Sequence, residues 1–285
     1  MKLVIAGGKG GVGKSMLASS LAILFSKERK IVACDCDVDA PNLGLWLGVT
    51  KYDKIVKKVS LSEKALIINE KACIGKLKPS DCKFGALKVK NGKLWVNPFL
   101  CEGCGVCKLI CEEGIKIEPV ENGEIRVART RYGFILFSAQ LYPGEKGSGK
   151  IVEELRHYAE EAGEFIILDA AAGIGCPVIA SLRGVDHAVM VTEPTLSALS
   201  DLKRILKIVT YFKIPYDIVI NKYDINERIT RRIEEKFKEK VIGKISYSKD
   251  VINALVHFKP VIELENNISR EVNQIFKRLK EKLNL

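Results

Sequence analysis

A glycine-rich run near the N-terminus has the residue types and the spacing that bind phosphate. Residues 7–15 read Gly-Gly-Lys-Gly-Gly-Val-Gly-Lys-Ser and follow the apolar residues 3–6. Glycines let consecutive backbone N–H groups turn toward an anion, and the N-terminus of a following helix adds partial positive charge there. We expect Lys14 to reach the β- and γ-phosphates of a nucleotide, and Ser15 to place its hydroxyl on Mg²⁺.

Two acidic segments elsewhere in the chain would complete such a site. Asp37 follows the apolar residues 31–34, and Asp169 follows the apolar residues 165–168. Ligands bind at the carboxyl ends of parallel strands, so both carboxylates are expected near the phosphates. Asp169 is predicted to hold Mg²⁺ through water, and Asp37 to hold the water shell or to orient the attacking water. Gly173 is expected to offer its N–H to the γ-phosphate, which would distinguish ATP from ADP.

A cluster of cysteines indicates a second kind of chemistry. Cys101, Cys104, Cys107 and Cys111 have the spacing C-x₂-C-x₂-C-x₃-C, and the chain has nine cysteines in total. In a reducing compartment, clustered thiolates indicate a metal site before they indicate disulfides. Four thiolates this close suit a [4Fe–4S] cluster, whereas zinc sites usually use two separated C-x₂-C pairs. The spacing therefore favours iron–sulfur, with zinc as the alternative.

The composition bounds the size of the fold and the class of partner. The chain has 285 residues, 47% of them hydrophobic, which suits one large α/β domain with a smaller inserted module. A net charge of +11 favours acidic partners such as nucleotides, nucleic acid, anionic membranes or acidic proteins. No apolar run is long enough to predict a transmembrane helix, and the chain begins almost directly in a strand. We therefore expect no signal peptide and a cytoplasmic location.

The elements that position these residues fall into two groups. Residues 1–51 and 130–285 alternate apolar strands with helical patterns around the phosphate-binding run, which indicates an α/β P-loop domain. Residues 52–129 instead contain short alternating strands, Asn-Gly turns at 91–92 and 122–123, and six of the nine cysteines. We interpret residues 52–129 as a small α+β module inserted into the nucleotide domain.

The phosphate-binding run resembles that of a known ATPase family. Lys9 lies inside the loop, five positions before Lys14, as in the deviant Walker A motif of the MinD/ParA family, which includes the nitrogenase iron protein and iron–sulfur carrier ATPases. The segment that runs from Asp35 through Asp37 to Asn42 resembles the second signature of that family. The resemblance implies a P-loop NTPase fold with a mostly parallel, doubly wound sheet. It also implies that Lys9, Lys14 and Asp37 are catalytic. Lys9 would reach the nucleotide of a partner chain in a nucleotide-dependent homodimer, and Asp37 would lie beside the hydrolytic water.

The same resemblance sets the expected base and the expected nucleotide contacts. Asn221-Lys222-Tyr-Asp reads guanine in GTPases, but an Asn at this strand end contacts adenine in MinD/ParA relatives. We therefore predict ATP, with GTP as the alternative. Relatives usually have Asp-x-Pro-Pro-Gly where this chain has alanines at 170–172, which leaves the hydrolysis rate open. The residues predicted to bind the nucleotide are Gly8, Gly10, Gly11, Val12, Gly13, Lys14, Ser15, Met16, Gly173, Asn221 and Lys222.

The cysteine run resembles those of bacterial ferredoxins. Residues 73–82 look like an eroded copy of it, with Lys76 and Pro79 in place of two cysteines, so the module resembles a two-cluster ferredoxin that has lost one cluster. In such ferredoxins the fourth cysteine of each run ligates the other cluster. The resemblance implies one ferredoxin-like [4Fe–4S] cluster held by Cys82, Cys101, Cys104 and Cys107. Cys111 is the alternative fourth ligand; if Cys82 is used, Cys73 and Cys111 would lie close together, either free or disulfide-bonded.

These features lead to two expected functions of different classes. The first is ATP hydrolysis coupled to iron–sulfur cluster assembly or delivery, or to ATP-gated electron transfer, with an iron–sulfur or redox client that the sequence does not name. The alternative is a MinD/ParA-like spatial or partitioning ATPase that acts on membrane or DNA, which the cysteine module makes the less favoured of the two. The apolar stripe in residues 268–283 is expected to pack on the domain rather than to bind a membrane.

Overall fold

The glycine-rich run lies between strand β1 (Lys2–Gly7) and helix α1 (Lys14–Ser26) in the computed structural model, which describes residues 1–285. The four residues from Leu3 to Ala6 are fully buried, so both faces of β1 are covered. A strand that is apolar on both faces belongs in the interior of a parallel sheet with helices on each side. The loop therefore begins at the carboxyl end of a central strand.

The chain folds into two units. The first comprises Met1–Val56, Ile125–Gln140 and Ser148–Leu285, and the second comprises Lys57–Glu124 and Leu141–Gly147. The sequence pattern assigns residues 141–147 to the nucleotide domain, but in the structure they pack within the second unit. Lys64 forms an ion pair with Glu145, and the Asn122 side-chain amide donates to the Lys146 carbonyl at 2.6 Å. These contacts join residues too far apart in the sequence for a local pattern to reveal.

Strands and helices alternate through most of the chain. The remaining strands are β2 (Val32–Asp35), β3 (Lys54–Val59), β4 (Ser62–Ile67), β5 (Leu87–Lys90), β6 (Lys93–Val96), β7 (Ile115–Val120), β8 (Gly123–Arg129), β9 (Ile135–Leu141), β10 (Ile166–Ala172), β11 (His187–Thr192), β12 (Tyr216–Asn221) and β13 (Val241–Ile245). The remaining helices are α2 (Leu43–Trp46), α3 (Glu70–Cys73), α4 (Val106–Ile110), α5 (Ser148–Ala162), α6 (Cys176–Leu182), α7 (Leu196–Tyr211), α8 (Glu227–Phe237), α9 (Asp250–Val256) and α10 (Asn267–Leu283).

A nine-stranded sheet organises the nucleotide domain. Its strand order is β13-β12-β11-β1-β10-β2-β9-β8-β3, and every adjacent pair from β13 to β9 is parallel. The expected α/β fold with a mostly parallel sheet is therefore confirmed. The chain reverses its direction of progress across the sheet at β1, whose neighbours are β10 and β11. Ligands bind at such a switch point, beyond the carboxyl ends of the strands.

Helices cover both faces of this sheet. Helices α1 and α10 pack on one face, while α5, α6 and α7 contact β2, β10 and β11. The apolar stripe of α10 is buried, with Val272 and Leu279 fully covered, and the helix contacts β13. The stripe thus packs on the domain, as expected. None of the helices combines the length and the apolar character needed to cross a bilayer.

The second unit contains two small antiparallel sheets. β4 pairs with β7, and β5 pairs with β6 across a turn in which Asn91 and Gly92 have φ values of 53° and 73°. Positive φ at both central residues is what a tight hairpin requires, so the expected hairpin is present. The Asn-Gly pair at 122–123 is not a hairpin turn, because β7 and β8 lie in different sheets. Asn122 is instead fully buried, and its side-chain oxygen accepts from the Leu61 N–H at 2.9 Å.

Candidate functional site

A cavity of about 510 Å³ lies at the carboxyl ends of the central strands. This volume is in the range of small-molecule and cofactor sites. It brings together most of the residues predicted to bind or hydrolyse a nucleotide, namely Gly10, Gly11, Gly13, Lys14, Ser15, Met16, Asp37, Asn221 and Lys222. Three distant segments of the sequence therefore meet at one site, as the parallel topology predicts.

The loop backbone depends on glycine at two of its positions. Gly11 and Gly13 have φ values of 75° and 97°, in the left-handed region where other residues are strained. A Cβ atom on Gly13 would also lie 2.4 Å from the side-chain nitrogen of Asn221. That nitrogen donates to the Val12 carbonyl at 2.9 Å. The phosphate-binding loop and the predicted base-reading residue are thus directly connected.

Three residues of the predicted nucleotide set do not line the cavity, namely Gly8, Val12 and Gly173. Val12 is buried with its side chain in the apolar core. Gly8 lies against α7, where an added Cβ would meet the Asp201 carbonyl oxygen at 2.4 Å. In this structure Val12 and Gly8 therefore shape the loop through packing, and neither side-chain position faces the cavity.

Asp169 is a buried carboxylate without a hydrogen-bond partner on either oxygen. Burial raises the pKa of Asp169 to about 7; the nearby Ser15 hydroxyl and Lys14 ammonium lower it, and Asp37 raises it. A buried carboxylate that lacks partners is expensive to leave alone, and a divalent cation would supply the missing charge. Asp169 and Ser15 together therefore fit a Mg²⁺ ion, held with water and phosphate oxygens.

Asp37 and Asp35 have different environments at the end of β2. Asp35 is fully buried, and its carboxylate accepts from the backbone N–H groups of Leu43 and Asp37 at 2.9 and 3.2 Å. It therefore organises the turn and does not line the cavity. Asp37 lines the cavity and accepts from the Ala40 N–H at 3.3 Å. Partial burial raises the pKa of Asp37, while that N–H and Lys14 lower it.

Lys9 does not point into the cavity but is held by its own chain. Its ammonium donates to one carboxylate oxygen of Glu193 at 2.9 Å and to the Ser197 hydroxyl at 3.4 Å. Lys222 donates to the other oxygen of Glu193 at 3.1 Å and to the Gly11 carbonyl at 3.1 Å. Burial raises the pKa of Glu193, but hydrogen bonds from both lysines outweigh burial and lower it overall. One carboxylate thus holds both lysines.

The segment after Asp169 begins as a continuation of strand β10. β10 continues through the three alanines to Ala172, which pairs with Gly7 and lines the cavity. Prolines at these positions would lack the N–H groups that a strand can donate. The Gly173 N–H donates to the Gly7 carbonyl at 3.3 Å, so it would have to leave this carbonyl to reach a γ-phosphate, and its role there stays a prediction.

Sequence reasoning missed one wall of the cavity. Besides Asn42, which lies in the segment that resembles the family's second signature, this wall consists of Trp46 on α2 and of residues that follow β13, namely Ser246, Tyr247, Ser248, Val251, Ile252 and Leu255. The available signal was positional, because residues that follow a parallel strand next to β12 must lie at the same edge of the sheet. Uncharged residues in a short loop carry no motif that would have drawn attention to them.

The second unit contains a separate cavity of about 320 Å³. Four free cysteines from two segments line it, namely Cys82, Cys101, Cys104 and Cys107. Cys111 does not line this cavity because it forms a disulfide with Cys73. These four cysteines are the ligands expected if the fourth ligand is Cys82, and Cys73 and Cys111 lie together as that arrangement implies.

Backbone N–H groups point at two of the cavity sulfurs. The Ala65 N–H donates to Cys101 Sγ at 3.3 Å, and the Ala86 N–H donates to Cys82 Sγ at 3.4 Å. Burial raises the pKa of Cys82, but the N–H groups of residues 84–87 outweigh burial and lower it overall. Burial raises the pKa of Cys107, and Cys101 and Cys104 beside it raise it further. No three His, Cys, Asp or Glu side chains converge closely enough to hold a single metal ion.

Comparison with known proteins identifies relatives over almost the whole chain. Residues 3–261 match the CobQ/CobB/MinD/ParA nucleotide binding domain. An uncharacterized protein of Methanocaldococcus jannaschii is 38% identical over 283 residues, which cover 99% of this chain and 97% of that protein. An uncharacterized ATP-binding protein of the same organism is 30% identical over 286 residues, which cover 97% of this chain and 96% of that protein.

A solved structure agrees in fold. The septum site-determining protein MinD from Pyrococcus horikoshii, complexed with Mg-ADP, has a TM-score of 0.63 and 15% identity, over 99% of this chain and 96% of that one. At this identity the likeness shows the fold alone, but the family match spans most of the chain and the archaeal relatives cover nearly all of it. This chain therefore belongs to the CobQ/CobB/MinD/ParA family of nucleotide-binding proteins.

Proposed function

We propose that this protein is a MinD/ParA-type ATPase that binds ATP with Mg²⁺, forms a homodimer while ATP is bound, and separates after hydrolysis. The observation that carries the proposal is the buried, unpartnered Asp169 carboxylate beside Lys14 and Ser15. Within such a site Lys14 holds the phosphates and Asp37 orients the attacking water. Lys9 must leave Glu193 before it can reach the nucleotide of a partner.

The class of cellular work that relatives support best is spatial or partitioning activity. The MinD protein with the same fold is named a septum site-determining protein, and it was complexed with Mg-ADP. An anionic target, either membrane or DNA, also fits a patch of cations on α7 and α8. Lys203 and Lys207 lie exposed on α7, and Arg232 and Lys236 lie exposed on α8. Desolvation, and then Lys203 and Arg232 beside it, lower the pKa of Lys236, so like charges cluster in this patch.

Molar mass and phosphate release test the nucleotide cycle. The wild-type chain should double its mass by light scattering when ATP and Mg²⁺ are added. Lys14→Ala should lose ATP binding, whereas Lys9→Ala should bind ATP but remain a monomer and lose most hydrolysis. Normal hydrolysis by a monomeric Lys9→Ala variant would contradict the proposal.

Binding assays test the proposed target. Co-sedimentation of the ATP-bound protein with phosphatidylglycerol vesicles would identify a membrane. Binding to duplex DNA that weakens steeply with salt would identify nucleic acid. Failure to bind both, under conditions in which the dimer forms, would contradict a spatial or partitioning role.

We also propose a second activity, in which the second unit holds one [4Fe–4S] cluster used in cluster delivery or electron transfer. The observation that favours it is that four free cysteines from two separated segments face one cavity. In a [4Fe–4S] cluster each cysteine thiolate binds a different iron from outside the cube, so the thiolates lie farther apart than the ligands of a single ion. The lack of a tight single-ion site is therefore compatible with this donor set. The N–H groups that point at the sulfurs would stabilise bound thiolates.

Matched serine variants test the cluster. After anaerobic purification, iron and sulfide should each approach four per chain, with a brown colour. Cys82→Ser should lose most of this iron, whereas the double variant Cys73→Ser/Cys111→Ser should keep it. Equal iron in wild type and Cys82→Ser, or a colourless protein that contains zinc, would contradict the proposed cluster. Comparing ATP hydrolysis with and without iron then shows whether the two sites are coupled.

A further inference from the structure

The register of the β5–β6 hairpin places its basic residues on one face. Lys88 pairs with Trp95, and Lys90 pairs with Lys93. Because side chains alternate along a strand, these four residues share one face, and the apolar residues fall on the other. We refer to Lys88, Lys90, Lys93 and Trp95 as the basic hairpin face. Their side chains are exposed.

The charge on this face is not compensated within the protein. None of the salt bridges in the structure includes its three lysines, and Lys90 lies over the Trp95 ring at 5.9 Å. Glu70 reaches the hairpin, but its carboxylate accepts from the Leu94 backbone N–H at 2.7 Å. Like charges directly opposite in an antiparallel pair are destabilising, as for Lys90 and Lys93. No ion pair within the protein offsets the repulsion between Lys90 and Lys93.

The opposite face of the hairpin forms a wall of the cysteine cavity. Leu87 is buried, and both Leu87 and Val96 line the cavity. Lys83 and Phe84, just before the hairpin, also line the cavity and are exposed. A molecule seated on the basic hairpin face would therefore be separated from the four cysteines by a single layer of β-structure.

The choice of cation indicates which anion this face suits. Residues 57–124 contain twelve lysines and no arginine. Arginine presents a planar fork that matches phosphate, whereas lysine is a strongly hydrated point charge. Lysines alone suit the diffuse attraction of a carboxylate-rich protein better than the close recognition of phosphates. Trp95 is 40% exposed and supplies the aromatic contact that protein interfaces favour.

We propose that the basic hairpin face docks a small acidic protein, and that this protein is the partner of the group held in the cysteine cavity. The second part rests on the proposed cluster, because only an occupied cavity gives a partner reason to approach this wall. The expected complex is transient and driven by charge. Such interfaces are small, and their association rates fall as salt rises.

Charge reversal on this face tests the docking with the full-length chain. The probe is an acidic plant-type [2Fe–2S] ferredoxin, with binding measured by calorimetry at 50 and 200 mM salt. Lys88→Glu/Lys93→Glu should weaken binding at least tenfold. Lys27→Glu/Lys30→Glu changes the net charge equally at exposed positions of the first unit, and should weaken binding less than twofold. Lys88→Gln/Lys93→Gln should fall between wild type and the glutamate variant, and thermal unfolding of each variant confirms that it is folded.

The outcomes separate this proposal from the cluster on which it rests. Equal weakening by both glutamate pairs, or no binding by the wild type at either salt concentration, overturns the docking face. Tighter binding of a 20-base-pair DNA duplex that depends on Lys88 and Lys93 would also overturn it, and would assign the face to nucleic acid. Iron measured in the same preparations reports on the cluster independently. If an iron-free preparation binds ferredoxin and this binding depends on Lys88 and Lys93, the docking face is supported and the proposed cluster is contradicted.

Discussion

At the scale of single residues, the sequence predicts residues that belong to a motif. It misses residues whose role depends only on a contact in the folded chain. Lys14, Ser15 and Asn221 were identified because phosphate and base recognition fix their spacing or their place at a strand end. Glu193 was not, although it holds both Lys9 and Lys222. Its partners lie 184 and 29 residues away, and no local pattern connects a carboxylate with lysines at such distances.

The Glu193 carboxylate should resist dimerisation by holding Lys9. Glu193→Gln removes the charge that attracts both lysines, so we expect dimerisation to need roughly three- to tenfold less ATP, which corresponds to about 1 kcal/mol. Light scattering across an ATP titration measures this shift. Glu227→Gln removes a carboxylate from an exposed ion pair with Arg231 and serves as the control. An unchanged midpoint in Glu193→Gln would show that the contact does not restrain Lys9.

At the scale of elements, apolar periodicity was a sound guide where an element packs along its whole length. The stripe on α10 and the apolar run of β10 were both evident in the sequence, because burial repeats with the period of the element. The Asn-Gly pair at 122–123 failed as a turn signal because Asn122 uses its side chain to bond the backbone in a buried position. Local turn chemistry there gives way to tertiary contacts.

One ion pair between a buried carboxylate and a partly exposed lysine attaches α10 to the sheet. Asp217 on β12 accepts from Lys282 of α10 at 2.9 Å and lies 2.9 Å from the His187 ring nitrogen. Burial raises the pKa of Asp217, but these two partners outweigh burial and lower it overall. The pair therefore contributes stability that is present above the unfolded pKa, near 4, and is lost as the pH falls through the lower folded pKa.

Asp217→Asn should lose this pH-dependent stability. We expect unfolding to be easier by about 2 kcal/mol at pH 7, the scale of a hydrogen bond to a charged group. The difference from wild type should shrink as the pH falls below about 4, because the carboxylate binds a proton first in the unfolded chain and only at a lower pH in the folded protein. Urea unfolding between pH 3 and pH 7 measures it. Asp201→Asn, which removes a surface pair with Arg204, should change stability by less than about 0.5 kcal/mol. A constant difference at all pH values would contradict this account.

At the scale of the whole molecule, the two units depend on different sources of stability. The first has an extensive apolar core in which both faces of the sheet are covered. The core of the second consists of Ala65, Cys73, Leu77, Ala86, Leu87, Cys101, Cys111 and Ile115, and three of these are cysteines. A core this small usually needs cross-links or metal. The sequence predicted that the module is rich in cysteine, but spacing alone left open which cysteines pair.

Calorimetry should therefore resolve two transitions with different sensitivities. Cys73→Ser/Cys111→Ser removes a cross-link that spans 38 residues, so the second unit should lose about 2–4 kcal/mol. ATP with Mg²⁺ at a hundred times its dissociation constant should stabilise the first unit by about 2.7 kcal/mol. Each treatment should shift the midpoint temperature of one transition and leave that of the other unchanged within experimental error. A single transition that responds to both would show that the units unfold together.

If the proposed [4Fe–4S] cluster is present, the Cys73–Cys111 disulfide marks two of the ligands that a second cluster would need. It joins the first cysteine of the incomplete run to the last cysteine of the complete one. In a two-cluster arrangement these are ligands of the same missing cluster. Lys76→Cys with Pro79→Cys would supply the other two ligands. A variant with two clusters would therefore need two substitutions and the reduction of the Cys73–Cys111 disulfide. The two cysteines of that disulfide already lie together, as ligands of one cluster must.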